Sequence, residues 1–179
     1  MPGDRDLGRG VSPFAGRPIF QVAWVVRDLD QALARITALF GPSEWRCWTF
    51  GSADHARCEY RGDPAAFATR LALNDQQPQF ELIQPLTRSG PHWDWLNDRG
   101  EGPHHMGVIV DSVEDAIAQA AGHGYEALAT GSGIGSARDG AWAYIDTGDT
   151  LGLMVEVVEP PTSMPPPASI WRSQSDDSG

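Results

Sequence analysis

Gln21–Ala34 reads QVAWVVRDLDQALA, and 84 residues further on His105–Ala118 reads HMGVIVDSVEDAIA. Laid over one another, the two stretches match in their apolar positions, their small positions and the place where a helix begins. In each, a strand of Val, Ile and Trp gives way to a cap residue, Asp28 or Ser112, followed three positions on by Gln31 or Asp115 and then by an Ala/Leu/Ile helix. Glycine stops each helix: Gly41 in the first copy, Gly122 or Gly124 in the second. A second match follows, FELIQP at Phe80–Pro85 over VEVVEP at Val155–Pro160. Its offset is shorter, as shorter loops in the second copy would make it. The chain is therefore a duplication in which each half runs strand, helix, further strands.

The remaining strands of the first copy are expected near Trp45–Phe50, His55–Tyr60 and Ala68–Leu73, and those of the second near Ala127–Thr130 and Ala141–Ile145. Between the copies, GPHWDWLNDRGEG predicts a short helix carrying Trp93, Trp95 and Leu96 and ended by Gly100 and Gly102. The fold class is α+β, two βαβββ modules in one chain whose strands curve into one mixed sheet around a central cavity. The division is residues 1–17 as an N-terminal tail, 18–88 as the first module, 89–102 as a linker helix, 103–160 as the second module and 161–179 as a C-terminal tail. Both tails are rich in Gly, Pro, Ser and charge without periodicity, which predicts disorder.

Side chains of a strand alternate between two faces. His105, Gly107 and Ile109 share one face of their strand, and Gln21, Ala23 and Val25 share the equivalent face of theirs. A polar leader with small neighbours suits a cavity lining, whereas Phe20, Val22, Trp24 and Val26 suit a helix-covered face. By the same alternation His104 points away from His105, or it lies before the strand proper. The closing strands add Glu81 and Glu156 at matching positions, each flanked by apolar residues. A lone carboxylate in such a strand costs several kcal/mol to bury unless it is paired, protonated or bound to a cation. Two of them, with a histidine and a glutamine at repeat-equivalent positions, share one explanation in a divalent ion such as Zn, Ni, Co, Mn or Fe. The alternative is an exposed pair of glutamates bridged to arginines beside a satisfied core histidine.

The duplicated pattern resembles the vicinal oxygen chelate superfamily (glyoxalase, bleomycin resistance and dioxygenase proteins) over roughly residues 17–160. FELIQPL and GPHHMGVIVDSVEDAI are most similar to its methylmalonyl-CoA epimerase and lactoylglutathione-lyase-like branch. The resemblance implies a metal bound by Gln21, Glu81, His105 and Glu156, with Glu156 or Glu81 as the catalytic base. It implies a metal-dependent isomerase, epimerase or lyase that acts on a small carbonyl compound through a metal-stabilised enolate; the seven tryptophans of the chain, for their part, suit an aromatic-lined pocket for a largely apolar substrate. It leaves two other classes open: a metal-free binding protein of the resistance type and an Fe(II)-dependent dioxygenase. The Gln, Glu, His, Glu set looks like that of eukaryotic glyoxalase I and departs from the epimerases, which carry His first and Gln second. Val25 and Pro85 stand where glutathione-holding side chains are expected, Arg70 where an epimerase's second base is expected, and Gln21 breaks the two-His-one-carboxylate triad of the dioxygenases.

Composition narrows the partners. A net charge of -11 and a pI near 4.7, with no basic stripe, argue against nucleic acid or an acidic membrane surface. All 13 basic side chains are arginine, which rules out lysine chemistry and, with abundant Ala, Gly and Pro, suggests a bacterial coding bias. No apolar run is long enough to span a membrane or act as a signal, and the two cysteines, Cys47 and Cys58, read as buried thiols of a reduced, cytoplasmic protein. The resemblance, for its part, implies a homodimer. His55, His92 and His123 fall in loops or the linker and are expected at the surface. GSGIGSARDG, Gly131–Gly140, fails the dinucleotide-binding pattern and reads as a hairpin or an active-site flap.

Overall fold

A computed structural model describes residues 12–41 and 44–172. The first module holds β1 (Ile19–Val25), α1 (Leu29–Phe40), β2 (Glu44–Gly51), β3 (Arg57–Tyr60), β4 (Asp63–Pro64), β5 (Ala68–Leu73) and β6 (Gln79–Pro85). Then come α2 (Pro91–Arg99) and the second module, β7 (Gly102–Ile109), α3 (Val113–Gly122), β8 (Ala127–Ile134), β9 (Gly140–Ile145), α4 (Gly148–Leu151) and β10 (Met154–Glu159), and last β11 (Ser169–Arg172). Among the described residues all eleven strands join one curved sheet in the order β11-β2-β5-β6-β1-β7-β10-β9-β8-β3-β4. Its centre is the duplication: β1 pairs parallel with β6, β7 pairs parallel with β10, and β1 meets β7 antiparallel.

Local chemistry builds both copies alike. Asp28 accepts a hydrogen bond from Gln31 N at 2.9 Å and Ser112 from Asp115 N at 3.1 Å, so each helix has the side-chain cap its sequence foretells. A second cap reaches back from the last strand of each module, Gln84 Oε1 to Leu29 N and Glu159 Oε2 to Val113 N. α1 buries Leu29 and Leu33 against Trp45, Ala72 and Leu82, and α3 buries Val113, Ala116 and Ala120 against Val108, Val155 and Val157. Full burial of each large aliphatic side chain contributes about 1.5–3 kcal/mol. These two helices cover the outer face of the sheet. α2 lies on the inner face, where Trp95 and Leu96 pack with Ala23, Val25, Ile83 and Tyr144.

Three features depart from the expectation. β3 and β4, which lie between β2 and β5 in sequence, do not pair with them: β3 pairs with β8 at the far edge of the other module, and β4 with β3. Residues 161–172, expected to be part of a disordered tail, return across the molecule: Trp48 Nε1 donates to Pro165 O at 2.9 Å, and β11 pairs antiparallel with β2. An open edge strand presents unpaired N–H and C=O groups, and an added strand satisfies them without needing hydrophobic periodicity. The first module thus covers the outer edge of the second, and the C-terminal segment covers the outer edge of the first. Of the N-terminal tail, residues 1–11 lie outside the described residues, while Phe14 packs beneath α3 and Arg17 donates to Ile109 O at 2.8 Å and pairs with Asp111. The flanks of GSGIGSARDG belong to β8 and β9, joined by a turn at 135–138.

Candidate metal centre

The two parallel ladders repeat one register. Gln21 sits opposite Gln79 and Ala23 opposite Glu81; His105 sits opposite Met154 and Gly107 opposite Glu156. With β1 and β7 adjacent, Gln21, Glu81, His105 and Glu156 are drawn together on the inner face. His105 Nε2 lies 3.1 Å from Glu81 Oε2, 3.2 Å from Glu156 Oε2 and 3.3 Å from Gln21 Oε1. All four side chains are buried, the most exposed being Glu156 at 9%. The exposed, arginine-bridged alternative for the glutamates is therefore not what the structure shows.

A second network turns Gln21. Its amide donates to Gln79 Oε1 at 2.8 Å, and Gln79 donates in turn to Asn74 O at 3.1 Å. This leaves the Gln21 carbonyl oxygen facing His105 Nε2, which both carboxylates also contact. On the other side, β7 carries a bulge. Ala23 is opposite His105 but Trp24 is opposite Pro103, so His104 is an extra residue in its strand; Phe20, its repeat equivalent, is extra in β1. A bulge re-aims the side chain it inserts. His104 therefore does not point away as strict alternation demands. It is 1% exposed, with its Nδ1 3.0 Å from His105 Nδ1. With His105 Nε2 turned to the oxygens, its Nδ1–H donates to His104, which is left as the neutral Nε2–H tautomer, the hydrogen positions following from the partners. Burial, reinforced by His92 and His105, keeps His104 far below the usual histidine range.

His92 corrects a second expectation. It lies not at the surface but on the buried side of α2, 6% exposed, with Nε2 2.9 Å from the Tyr144 hydroxyl. Burial lowers its pKa to about 3, with His105 adding to the effect, so it stays neutral. Tyr144 stands opposite Glu156 in the β9–β10 ladder, and burial, then Glu156 and Glu81, raise its pKa well above the usual value, so it keeps its proton. His92 Nδ1 and His104 Nε2 are buried without a hydrogen-bond partner. His55 is half-buried, its Nδ1 on Gly51 O and its Nε2 accepting from Trp142, while His123 is partly exposed at the end of α3. Cys47 and Cys58 are free, the first buried and the second half-buried; burial raises the Cys58 pKa to about 11, which makes it a poor nucleophile. Arg70 pairs with Asp30 of α1.

Among the titratable groups of the centre the balance is explicit. Burial lowers the His105 pKa, but the Glu156 charge, then the hydrogen bonds of Glu156 and Glu81, overcome it and raise the value to about 10. Burial raises Glu81, opposed by His105 and aided by Glu156. A cluster of two carboxylates and one imidazolium carries one uncompensated negative charge in a buried place; a divalent ion with neutral histidine carries none. Ligands at about 2.0–2.2 Å from a single ion lie roughly 3.0–3.5 Å apart in common geometries. The spread of 3.1–3.3 Å about His105 Nε2 matches this, and Glu81, His105 and Glu156 offer donor atoms all within 4.8 Å of one another. The residues present fit a divalent cation. A cleft of about 790 Å³, open mouth included, opens from Glu81 and Glu156 and is walled by Phe67, Leu71, Ile134 and Trp142.

Fold and site together define a duplicated βαβββ protein with a buried mixed oxygen and nitrogen centre. The chain belongs to the Glyoxalase/Bleomycin resistance protein/Dioxygenase superfamily, whose family model matches residues 20–144. Hypothetical protein BH1468 from Bacillus halodurans has a similar structure, with a TM-score of 0.60, 16% identity, 84% of this chain and 99% of that one covered. Methylmalonyl-CoA epimerase from Mycobacterium tuberculosis matches with a TM-score of 0.52, 21% identity and 79% and 86% coverage. A variant of the Streptomyces coelicolor epimerase in complex with 2-nitronate-propionyl-CoA matches with a TM-score of 0.54, 20% identity and 84% and 98% coverage. These likenesses establish the fold. No curated protein matches the sequence. No helix among the described residues is long and apolar enough to cross a membrane.

Proposed function

We propose that the protein is a metal-dependent isomerase, epimerase or lyase that moves a proton on a small, largely apolar carbonyl compound. The observation that carries this reading is the convergence of Gln21 Oε1, Glu81 and Glu156 on His105 Nε2 at the floor of an apolar cleft. A divalent ion held by these four residues would supply Lewis acidity to a substrate oxygen. The rest is the work of the chain. Glu156, at the cleft floor opposite Tyr144, accepts the substrate's acidic proton as general base, and Glu81, its repeat equivalent, is the second candidate. Tyr144, kept protonated, donates to an oxygen on which negative charge grows, and His92 orients its hydroxyl. The apolar walls exclude water from the proton in transit. All four proposed ligands come from one chain, so a homodimer is not needed to complete the centre.

One observation favours the second class, a metal-free binding protein: protonated His105 already contacts both glutamates. Metal analysis of the purified protein separates the two. One divalent ion per chain, taken up with loss of the His105 proton, supports the enzyme reading; no uptake at micromolar zinc, nickel, cobalt or manganese supports the binding protein. The dioxygenase class is disfavoured because the set holds one histidine and two carboxylates rather than the reverse, and oxygen consumption with Fe(II) tests it.

A further inference from the structure

We infer that the cleft takes an uncharged, compact, apolar body attached to a polar end that faces the centre, and that the C-terminal segment 160–168 limits the length of that body. The inference rests on the metal reading above. The ionisable residues lining the cleft are Asp54, Glu81 and Glu156, all acidic, together with His55, His92 and Tyr144, which keeps its proton; no arginine lines it among the described residues. Neither histidine replaces an arginine. Both nitrogens of His55 are engaged, with Gly51 O and with Trp142, and His92 is buried against Tyr144. An anionic group on the substrate other than the one facing the centre would meet three carboxylates and no cationic side chain to offset them, a costly transfer. The body instead meets Phe50, Leu71, Leu73, Ile134, Trp142 and Met164.

Met164 belongs to neither module. It is carried by a strap fastened to both modules. On the second-module side Thr162 is hydrogen-bonded to Asp139, Ser136 N donates to Ser163 O at 2.9 Å, and Pro161 lies so close that a Cβ at Gly135 would fall 2.3 Å from it and one at Gly140 2.8 Å. On the first-module side Trp48 holds Pro165 O, Ala168 N donates to Cys47 O at 2.8 Å, and β11 continues onto β2. The side chain suspended between these fastenings is Met164, a flexible apolar residue suited to closing on an apolar ligand.

The test uses full-length protein loaded with cobalt(II), whose visible bands report the centre directly, and three hydroxamates as two-oxygen probes. Benzohydroxamate is expected to bind about 30-fold or more tighter than 4-carboxybenzohydroxamate, which differs by one remote carboxylate. Biphenyl-4-carbohydroxamate is expected to bind more weakly than benzohydroxamate, and Met164→Ala, at a residue 41% exposed, to shift the ratio of the two toward the longer probe by about tenfold. Equal affinity for the neutral and carboxylated probes overturns the charge selection, and an unshifted ratio in Met164→Ala overturns the strap as length limit. Absence of cobalt bands in the wild-type protein overturns the metal reading and this inference with it, whereas intact bands with the wrong order of probes overturn this inference alone.

Discussion

Gln21 and His105 occupy the same place in two copies of one module, yet they are held in different ways. In the first copy a polar chain does the work: Asn74 holds Gln79, and Gln79 turns the Gln21 amide so that its oxygen faces inward. In the second copy Met154 stands where Gln79 stands in the first, and no polar neighbour follows from that ladder. Orientation comes instead from the bulge in β7, which brings His104 round to accept from His105. A bulge exists at the same place in β1, but there the extra residue is Phe20, whose ring covers Gly107. The duplication thus preserves backbone geometry while the supporting contacts diverge. A weak neutral ligand needs its amide turned correctly, and an imidazole needs its tautomer set.

The comparison is open to breaking at several points. The largest expected effect concerns the paired glutamates. Glu156→Gln should retain the ion yet slow solvent-deuterium exchange into an accepted carbonyl compound by about 10²–10⁴-fold, while Glu81→Gln slows it far less; equal losses would mean that the two halves share the base. Next come the ligands. If binding worth about 10–16 kcal/mol is divided over four ligands, His105→Ala should weaken metal affinity on the order of 10²–10³-fold, and Gln21→Ala, which removes an uncharged oxygen, by less. Titration with a competing chelator ranks them, and a larger effect at Gln21 would reverse the assignment of the stronger half.

The supporting contacts sharpen the contrast further. His104→Ala should cost about 10–100-fold in affinity, whereas Gln79→Met, which gives the first copy the second copy's residue, should cost less because the amide of Gln21 can still be turned by the ion. Indifference to His104→Ala would show that the bulge places it without use. The pH dependence follows from His105. Its folded pKa near 10 stands above the ordinary value, so its proton contributes stability that is complete below about pH 6.5 and lost as pH rises through 10. Metal must displace that proton, so affinity should rise about tenfold per pH unit between about 7 and 9, with about one proton released per ion. Calorimetry in buffers of different ionisation enthalpy counts it. The smallest effect is the helix caps: Asp28→Ala and Ser112→Ala should each destabilise by about 1 kcal/mol in urea unfolding, and an unequal pair would mark one module as the weaker.

What the chain revealed before folding was whatever obeys a local period. Two strand-helix starts with caps, two closing strands, and a polar residue at the same phase of each strand follow from spacings of two and 3.6 residues and from the chemistry of Asp, Ser and Gly. That was enough for the duplicated architecture and for naming Gln21, Glu81, His105 and Glu156 as one group. Four matters were decided only in three dimensions. His104 joins the inner face because its strand carries one residue more than the strand beside it, a property of a pair that neither strand shows alone. His92 is buried because α2 lies against the inner face; its sequence, polar among tryptophans, reads equally well as an exposed linker. β3 leaves its module and β11 leaves the expected tail because each meets an edge whose backbone groups lack partners, and backbone pairing is nearly indifferent to side-chain pattern. Met164 reaches the cleft for the same reason, carried there by a proline-rich segment whose destination was set by an edge strand more than a hundred residues away in the chain.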